Sequence, residues 1–262
     1  MCGNFASDQR RQLLDIASEY SDTGVAFDVV VAIGDPAYEI ARQVALGEHD
    51  LLIKTAEGFG LVDRLFGSVS QSLLRLCPCP VWLLKPKLDG QFDCIVAAVD
   101  VSTDESVNRE LNQQILQHAG MIAARESAAL HVVSAWNLWM ENPLRIKMGD
   151  ELIDRMAKEY EAQIGERLDD LLDDARSQNP GLRRHVYQGN AVEKIREVVD
   201  HVKADLLVMG TQCRTGVSGF LIGNTAESVL GDIKCSVLAI KPAHFVSPVE
   251  SEIQEADAVT PA

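Results

Sequence analysis

Gly210, Cys213, Gly223, Asn224 and Thr225 fall in one stretch, residues 205–242, whose residue types and spacing suit the holding of an anion. An apolar run, Leu206 to Met209, leads into a glycine-bearing loop, and Gly223-Asn224 then opens a helical pattern. Where such a loop meets a helix N-terminus, backbone N–H groups without helical partners converge, and a phosphate can sit against them. Glycines let the backbone approach the anion with no Cβ in the way, and the Thr225 hydroxyl stands beside the helix start. Asp100 ends another apolar run, Cys94 to Val99, at a place where ligands gather in open α/β sheets. Capping the turn or helix that follows is an equally good use for that carboxylate.

The same block occurs twice. Gly34 matches Gly189, Asp50 matches Asp205 and Leu51-Leu52 match Leu206-Leu207, all at an offset of 155 residues. Past the loop the offset is 156: Gly67 matches Gly223, Leu74 matches Leu230, Cys79 matches Cys235, and Lys85-Pro86 match Lys241-Pro242. A slip of one residue inside a loop is what duplication and loop drift leave behind. A period this long marks two copies of a domain, not a short-repeat solenoid.

The elements that would position these residues alternate. Strand patterns run over Cys94–Val99, Ala129–Trp136, Arg184–Tyr187, Leu206–Met209 and the closing run to Lys241-Pro242. Between them lie helical patterns. Ser102-x-x-Glu105 reads as a capping box before a helix with Val107, Leu111, Ile115 and Ile122 on one face. A long amphipathic stretch spans about 149–177, and Val192, Ile195, Val199 and Val202 make another apolar stripe. Five strands alternating with four helices predict a parallel sheet covered on both faces. The first copy is shorter. Its residues 7–20 mirror the end of the long helix, with Leu13 matching Leu168 and Ile16 matching Leu171, and its first two strands and first helix have no counterpart. An early truncation or a misassigned start is the expectation. The divisions are 1–86 for the incomplete copy, 87–92 for a linker, 93–242 for the complete copy, and 243–262 for a mobile acidic tail.

Bulk properties exclude several classes of function. A net charge of −15 argues against tracking a nucleic-acid backbone. No apolar run approaches the roughly 20 residues that span a bilayer, and the start lacks the layout of a secretion signal; a cytoplasmic protein fits. Cys2, Cys77, Cys79, Cys94, Cys213 and Cys235 contain no CxxC pair. Four of them, Cys77, Cys79, Cys94 and Cys235, lie in or beside apolar strands and read as small core residues. His131 and His185 read as hydrogen-bonded strand residues, and no histidine has metal-like spacing. Trp136, Trp139 and Met140 could wall an apolar cavity or simply pack a helix. There is no Gly-x-Ser-x-Gly elbow, no Walker lysine and no other catalytic set.

Residues 7–242 resemble the universal stress protein family, in its tandem-domain branch. The residues that carry the likeness are Val96-Ala97-Ala98-Val99-Asp100, then Gly210-x-x-Cys213 followed nine residues on by Gly223-Asn224, then the strand to Lys241-Pro242. The resemblance implies an α/β fold of two doubly wound five-stranded parallel sheets, strand order 3-2-1-4-5, the first copy lacking its first two strands. Some members bind ATP through Gly-x-x-Gly, nine residues, Gly, then Ser or Thr. By similarity Asp100, Val132 and Met209 would flank the base, and Gly210, Gly223, Asn224 and Thr225 would line the phosphates. This chain departs twice, with Cys213 at the second glycine and Asn224 at the hydroxyl position. In the first copy Thr55 replaces the first glycine and no opening aspartate exists.

The resulting expectation is a cytoplasmic, non-catalytic stress-response protein that binds a small molecule or a protein partner, the two copies forming an intrachain pseudo-dimer. A homodimer is a further expectation. The residues themselves demand no metal or cofactor; ATP in the second domain is what the resemblance adds. The alternatives are slow ATP hydrolysis or nucleotide transfer there, and an apolar-ligand pocket.

Overall fold

A computed structural model describes residues 2–55, 67–85, 90–103, 105–211 and 223–259. In chain order the elements are α1 (Cys2–Ser18), α2 (Pro36–Leu46), β1 (Leu52–Thr55), α3 (Ser68–Leu76), β2 (Val81–Leu84) and β3 (Cys94–Ala98). There follow α4 (Ser106–Glu126), β4 (Ala129–Trp136), α5 (Glu141–Met148), α6 (Asp150–Gln178), β5 (Arg183–Gln188) and α7 (Ala191–Val202). The chain closes with β6 (Leu206–Gly210), α8 (Asn224–Asp232), β7 (Ser236–Ile240) and α9 (Pro248–Val259).

All seven strands form one sheet, ordered β1-β2-β7-β6-β3-β4-β5. Every pairing is parallel except β2 with β7. That antiparallel seam joins the two copies, so their strands share a single sheet where the duplication alone suggested two. Its register is Val81↔Ala239, Trp82↔Leu238, Leu83↔Val237. Trp82 and Leu238 are themselves equivalent positions of the repeat, so a pseudo-twofold axis passes between them, as in an isologous dimer. Side chains also cross the seam, though not in symmetric pairs. Lys85 Nζ donates to Lys234 O at 2.8 Å, and its counterpart Lys241 donates across the seam to Leu74 O. Arg75 and Glu227 form an ion pair over the same boundary.

One apolar core runs through the seam, from Val44, Leu74 and Val81 of the first copy to Val229, Leu230 and Val237 of the second. On the opposite face, Ile95, Val132, Val208 and Leu238 pack under α4 and α6 through Leu111, Ile115, Leu168 and Leu172. Strand alternation sends neighbours to opposite faces, which is why two helix layers are required. Helix starts are coded alike in both copies. Asp35 accepts from Tyr38 N at 3.0 Å to cap α2, and its counterpart Asn190 accepts from Val192 N at 2.9 Å to cap α7. Gly189, just before that cap, has φ +142, a conformation side-chain-bearing residues rarely adopt.

Four further sequence expectations change. The repeat leaves the first copy its last three strands, yet residues 25–33 are extended and unpaired, with Val25, Phe27, Val30 and Ile33 between 51% and 75% exposed. In the order seen for the second copy, that strand would join through two strands the first copy lacks among the described residues. Ser102 does not cap α4: Glu105 is the N-cap residue, and Ser102 instead donates to Asp100 at 2.6 Å. The tail begins as an ordered helix, because Ser247-Pro248-Val249-Glu250 is a capping box. Ser247 Oγ accepts from Val249 N, Glu250 accepts from Ser247 N, and proline occupies the first helical turn. Tyr38 OH then ties α9 to α2 through Glu252 at 2.8 Å. Trp139 is 82% exposed and walls nothing, whereas Trp136 is buried and meets Tyr160 edge-on.

The repeat offers a matched pair for measuring what the sheet contributes. Leu168 is 0% exposed against it, and its counterpart Leu13 is 43% exposed on α1. Leu168→Ala is expected to cost about 2–5 kcal/mol in urea unfolding, and Leu13→Ala at most about 0.5 kcal/mol. Equal losses would show that α1 has an apolar partner.

Candidate functional site

The second copy has a topological switch point at the carboxyl ends of β3 and β6. The chain leaves β3 for β4 on one side, while β6 lies on the other, so the strand order reverses between them. At such a switch point the loops diverge and leave room for a ligand. Ala98 pairs with Met209, so Asp100 follows one strand and Gly210-Thr211 ends the other at the same edge of the sheet.

Asp100 is held tightly. Its backbone N–H donates to Asn112 Oδ1 at 3.1 Å, and its carbonyl accepts from Asn108 Nδ2 at 2.9 Å and Asn112 Nδ2 at 2.7 Å. Both asparagines are buried on α4. They therefore dock the helix onto the strand end, satisfying polar groups that burial would otherwise penalise. The carboxylate accepts from Ser102 N at 3.0 Å and Ser102 Oγ at 2.6 Å, an Asx turn. This turn is the capping role weighed for Asp100. The asparagine pair escaped sequence reasoning. Its signal was two asparagines at i and i+4 on a face otherwise apolar.

Gly210 has a packing role as well as a place by the loop. A Cβ there would lie 2.6 Å from Leu111 Cδ2 and 3.0 Å from Leu111 Cγ. The glycine lets α4 lie close over β6. Gly223 is buried, donates to Thr211 O at 3.4 Å and precedes the first residue of α8, Asn224, with no side-chain cap. Thr225 is exposed one residue further on. The Thr211 hydroxyl is spent on Ile240 O at 3.2 Å.

Asp100, Gly210, Gly223, Asn224 and Thr225 thus fall at the carboxyl ends of β3 and β6 or at the start of α8, while Met209 is buried. The structure separates Val132. Val132 is fully buried in the core beneath α4 and α6, whereas Met209 lies in the core on the other face. The two cannot sandwich one base, because the alternation of the strands points them apart. Cys213, with Arg214, Thr215 and Ser218, lies outside the described residues.

His131 and His185 sit on neighbouring strands β4 and β5, away from this switch point. Their rings stack, with centroids 5.1 Å apart, and His131 Nδ1 meets His185 Nε2 at 2.9 Å. One nitrogen must donate and the other accept, so the pair is held with its shared edge carrying one proton. Burial, with the charges of Arg183 and His201 nearby, lowers both pKa values below the ordinary 6.5. No group of three metal-binding side chains occurs among the described residues.

Two measurements follow. Gly210→Ala is expected to destabilise the fold by about 1–3 kcal/mol through the clash with Leu111; unchanged urea stability would assign the glycine to the loop alone. For the histidines, the unfolded chain binds protons more readily than the folded one. Their contribution is therefore complete above about pH 6.5 and is lost as pH falls toward the depressed folded values. The urea midpoint should fall between about pH 7 and about pH 5, and His131→Gln should flatten that fall. A variant with the wild-type slope would contradict the pairing.

The universal stress protein family model matches residues 5–85 and 92–241. Universal stress protein E of Photorhabdus laumondii is 31% identical over 246 residues, covering 88% of this chain and 74% of that protein. Universal stress protein E of Escherichia coli K12 is 30% identical over 248 residues, covering 92% of this chain and 76% of that protein. A crystal structure of a functionally unknown protein from Pseudomonas aeruginosa PAO1 aligns with a TM-score of 0.75 at 27% identity, over 95% of this chain and 82% of that one. A universal stress protein from Archaeoglobus fulgidus shares the fold, with a TM-score of 0.60 at 20% identity over 90% of this chain and 79% of that one.

Proposed function

The chain belongs to the universal stress protein family, as a tandem-domain member, and from that premise we propose that it is a cytoplasmic, non-catalytic stress-response protein whose second domain binds a small ligand at the switch point between β3 and β6. One observation carries the reading. Asp100 follows β3, and the N-terminus of α8, which has no side-chain cap, is tied through Gly223 to Thr211 after β6, the two strands flanking the reversal of strand order. A carboxylate acceptor on one side and helix-end amides on the other match a ligand with a donor-bearing ring and an anionic tail.

Adenine nucleotide is the ligand class this arrangement fits, with the exocyclic amine toward Asp100 and the phosphates toward Gly223, Asn224 and Thr225. Val132 is left out of that contact set. Two features weaken the fit: Cys213 replaces a glycine in the phosphate loop, and the Asp100 carboxylate is already engaged by Ser102. Binding is therefore weaker than an unobstructed loop would give. The domain limits we adopt are 1–86 and 93–242, with the pseudo-dimer completed inside one chain at the β2–β7 seam. For the apolar-pocket alternative, Trp136 packs on Tyr160 and Trp139 points to solvent, so neither favours it.

The test is titration calorimetry of the purified chain with ATP, beside chromatography of whatever nucleotide denaturation releases. Asp100→Ala should weaken binding about tenfold or more, the usual worth of a hydrogen bond to a charged group. An Asp100→Ala variant with unchanged affinity removes the proposed pose. Phosphate release that the same substitution abolishes would make the protein an enzyme.

A further inference from the structure

Cys77 and Cys79 flank Pro78 directly after α3, and their sulfurs lie 3.6 Å apart. Cys77 is 0% exposed. Cys79 is 7% exposed and opens onto a cleft of about 440 Å³ between α2 and α9, beside His49, Pro78 and Ile253. A third group completes the cluster. Lys241 is 6% exposed, donates to Leu74 O in the last turns of α3, and holds its ammonium 4.4 Å over the Phe245 ring.

The two thiols are not alike. The hydrogen bond between the two thiols, with the Lys241 charge adding to it, lowers the pKa of Cys79. The same hydrogen bond, then burial, raises Cys77. Burial brings Lys241 down to about 8, an amine that gains from a nearby thiolate. The repeat supplies an internal comparison. The equivalent positions in the second copy are Ile233 and Cys235, so the second thiol is absent there, and burial pushes Cys235 up to about 12. A thiolate is the reactive form of cysteine, and a cation or a neighbouring donor is what generates it.

We propose that Cys77 and Cys79 form a reversible dithiol site oxidised by hydrogen peroxide, with Cys79 as the attacking sulfur and Cys77 as the resolving one. The Cys79 thiolate attacks one peroxide oxygen; an S–O bond forms, the O–O bond breaks, and hydroxide leaves. That hydroxide takes up the proton that Cys79 released, giving water and a Cys79 sulfenic acid. The Cys77 sulfur then attacks Cys79, the S–S bond forms as the S–O bond breaks, and the Cys77 proton leaves with hydroxide as a second water. Two thiols lose two electrons and one peroxide becomes two waters. The sulfurs close from 3.6 Å to a bond of about 2.05 Å, a movement within one three-residue segment.

The experiment treats the full chain with graded hydrogen peroxide, alkylates the remaining thiols, digests with trypsin and weighs the peptides. Residues 76–87 carry both cysteines of the pair, and Cys235 lies on another peptide. The 76–87 peptide should lose two hydrogens and escape alkylation at least about tenfold faster than Cys235 reacts, and dithiothreitol should restore it. In Cys77→Ser, oxidation should stop at Cys79, where dimedone adds to the sulfenic acid. The proposal is overturned if the 76–87 peptide stays alkylatable while Cys235 is oxidised. It is equally overturned if Cys77→Ser yields no dimedone adduct on Cys79.

Discussion

Three backbone pairings between β2 and β7 hold together everything else in this protein. Left alone, β1 and β2 are two short strands, and a two-stranded ribbon is at best marginal in water. Laid antiparallel against β7, they extend a sheet whose other five strands are already packed on both faces. The near-symmetry of the seam explains why both sides of it are satisfied. Each copy offers the other the same last strand, the same lysine after it, and the same helix before it, as identical subunits do across a twofold axis. The core beneath α2, α3, α7 and α8 is therefore continuous through the boundary, and the halves are one cooperative unit on that face.

The opposite face shows where the symmetry stops. Under α4 and α6 the second copy is closed, while in the first Ile53 is 56% exposed and Trp82 is covered by stacking with Phe92, ring centroids 5.9 Å apart. Asymmetry also reaches the paired lysines. Lys85 is exposed, whereas Lys241 is enclosed by the chain that continues through Phe245 and Ser247 into α9. Two positions with a common origin thus acquire different electrostatics from what is laid over them. The switch point has a comparable double character. Asn108 and Asn112 fix the strand end that carries Asp100, and Gly210 sets how closely α4 lies over β6, so the residues shaping it also hold up the fold.

Much of this was legible in the residues. The strands of the second copy follow from apolar runs, and the duplication from matched glycines and Lys-Pro pairs. What stayed hidden depended on contacts between distant segments. Ser102 looked like a cap until Asp100 was seen to claim its hydroxyl. Val132 was a base contact by resemblance alone, and the face on which a side chain falls depends on register. The acidic tail concealed its own capping box at Ser247-Pro-Val-Glu, a short signal that gains weight once α3 lies within reach to accept from Ser247 Oγ at Leu76 O. The dithiol read as packing because each cysteine alone is a good core residue. Only the sulfur distance and the buried lysine set the pair apart.

The seam also dictates an order of events. β2 ends at Leu84 and its partner strand begins at Ser236, so on the ribosome the first copy emerges long before the strand that completes it. Its apolar face must wait, uncovered, through translation of nearly the whole second copy, and closing so large a loop is slow as well as late. A nascent chain in that interval is a natural client for chaperones, and stalled synthesis would leave the two early strands stranded with nothing to pair with.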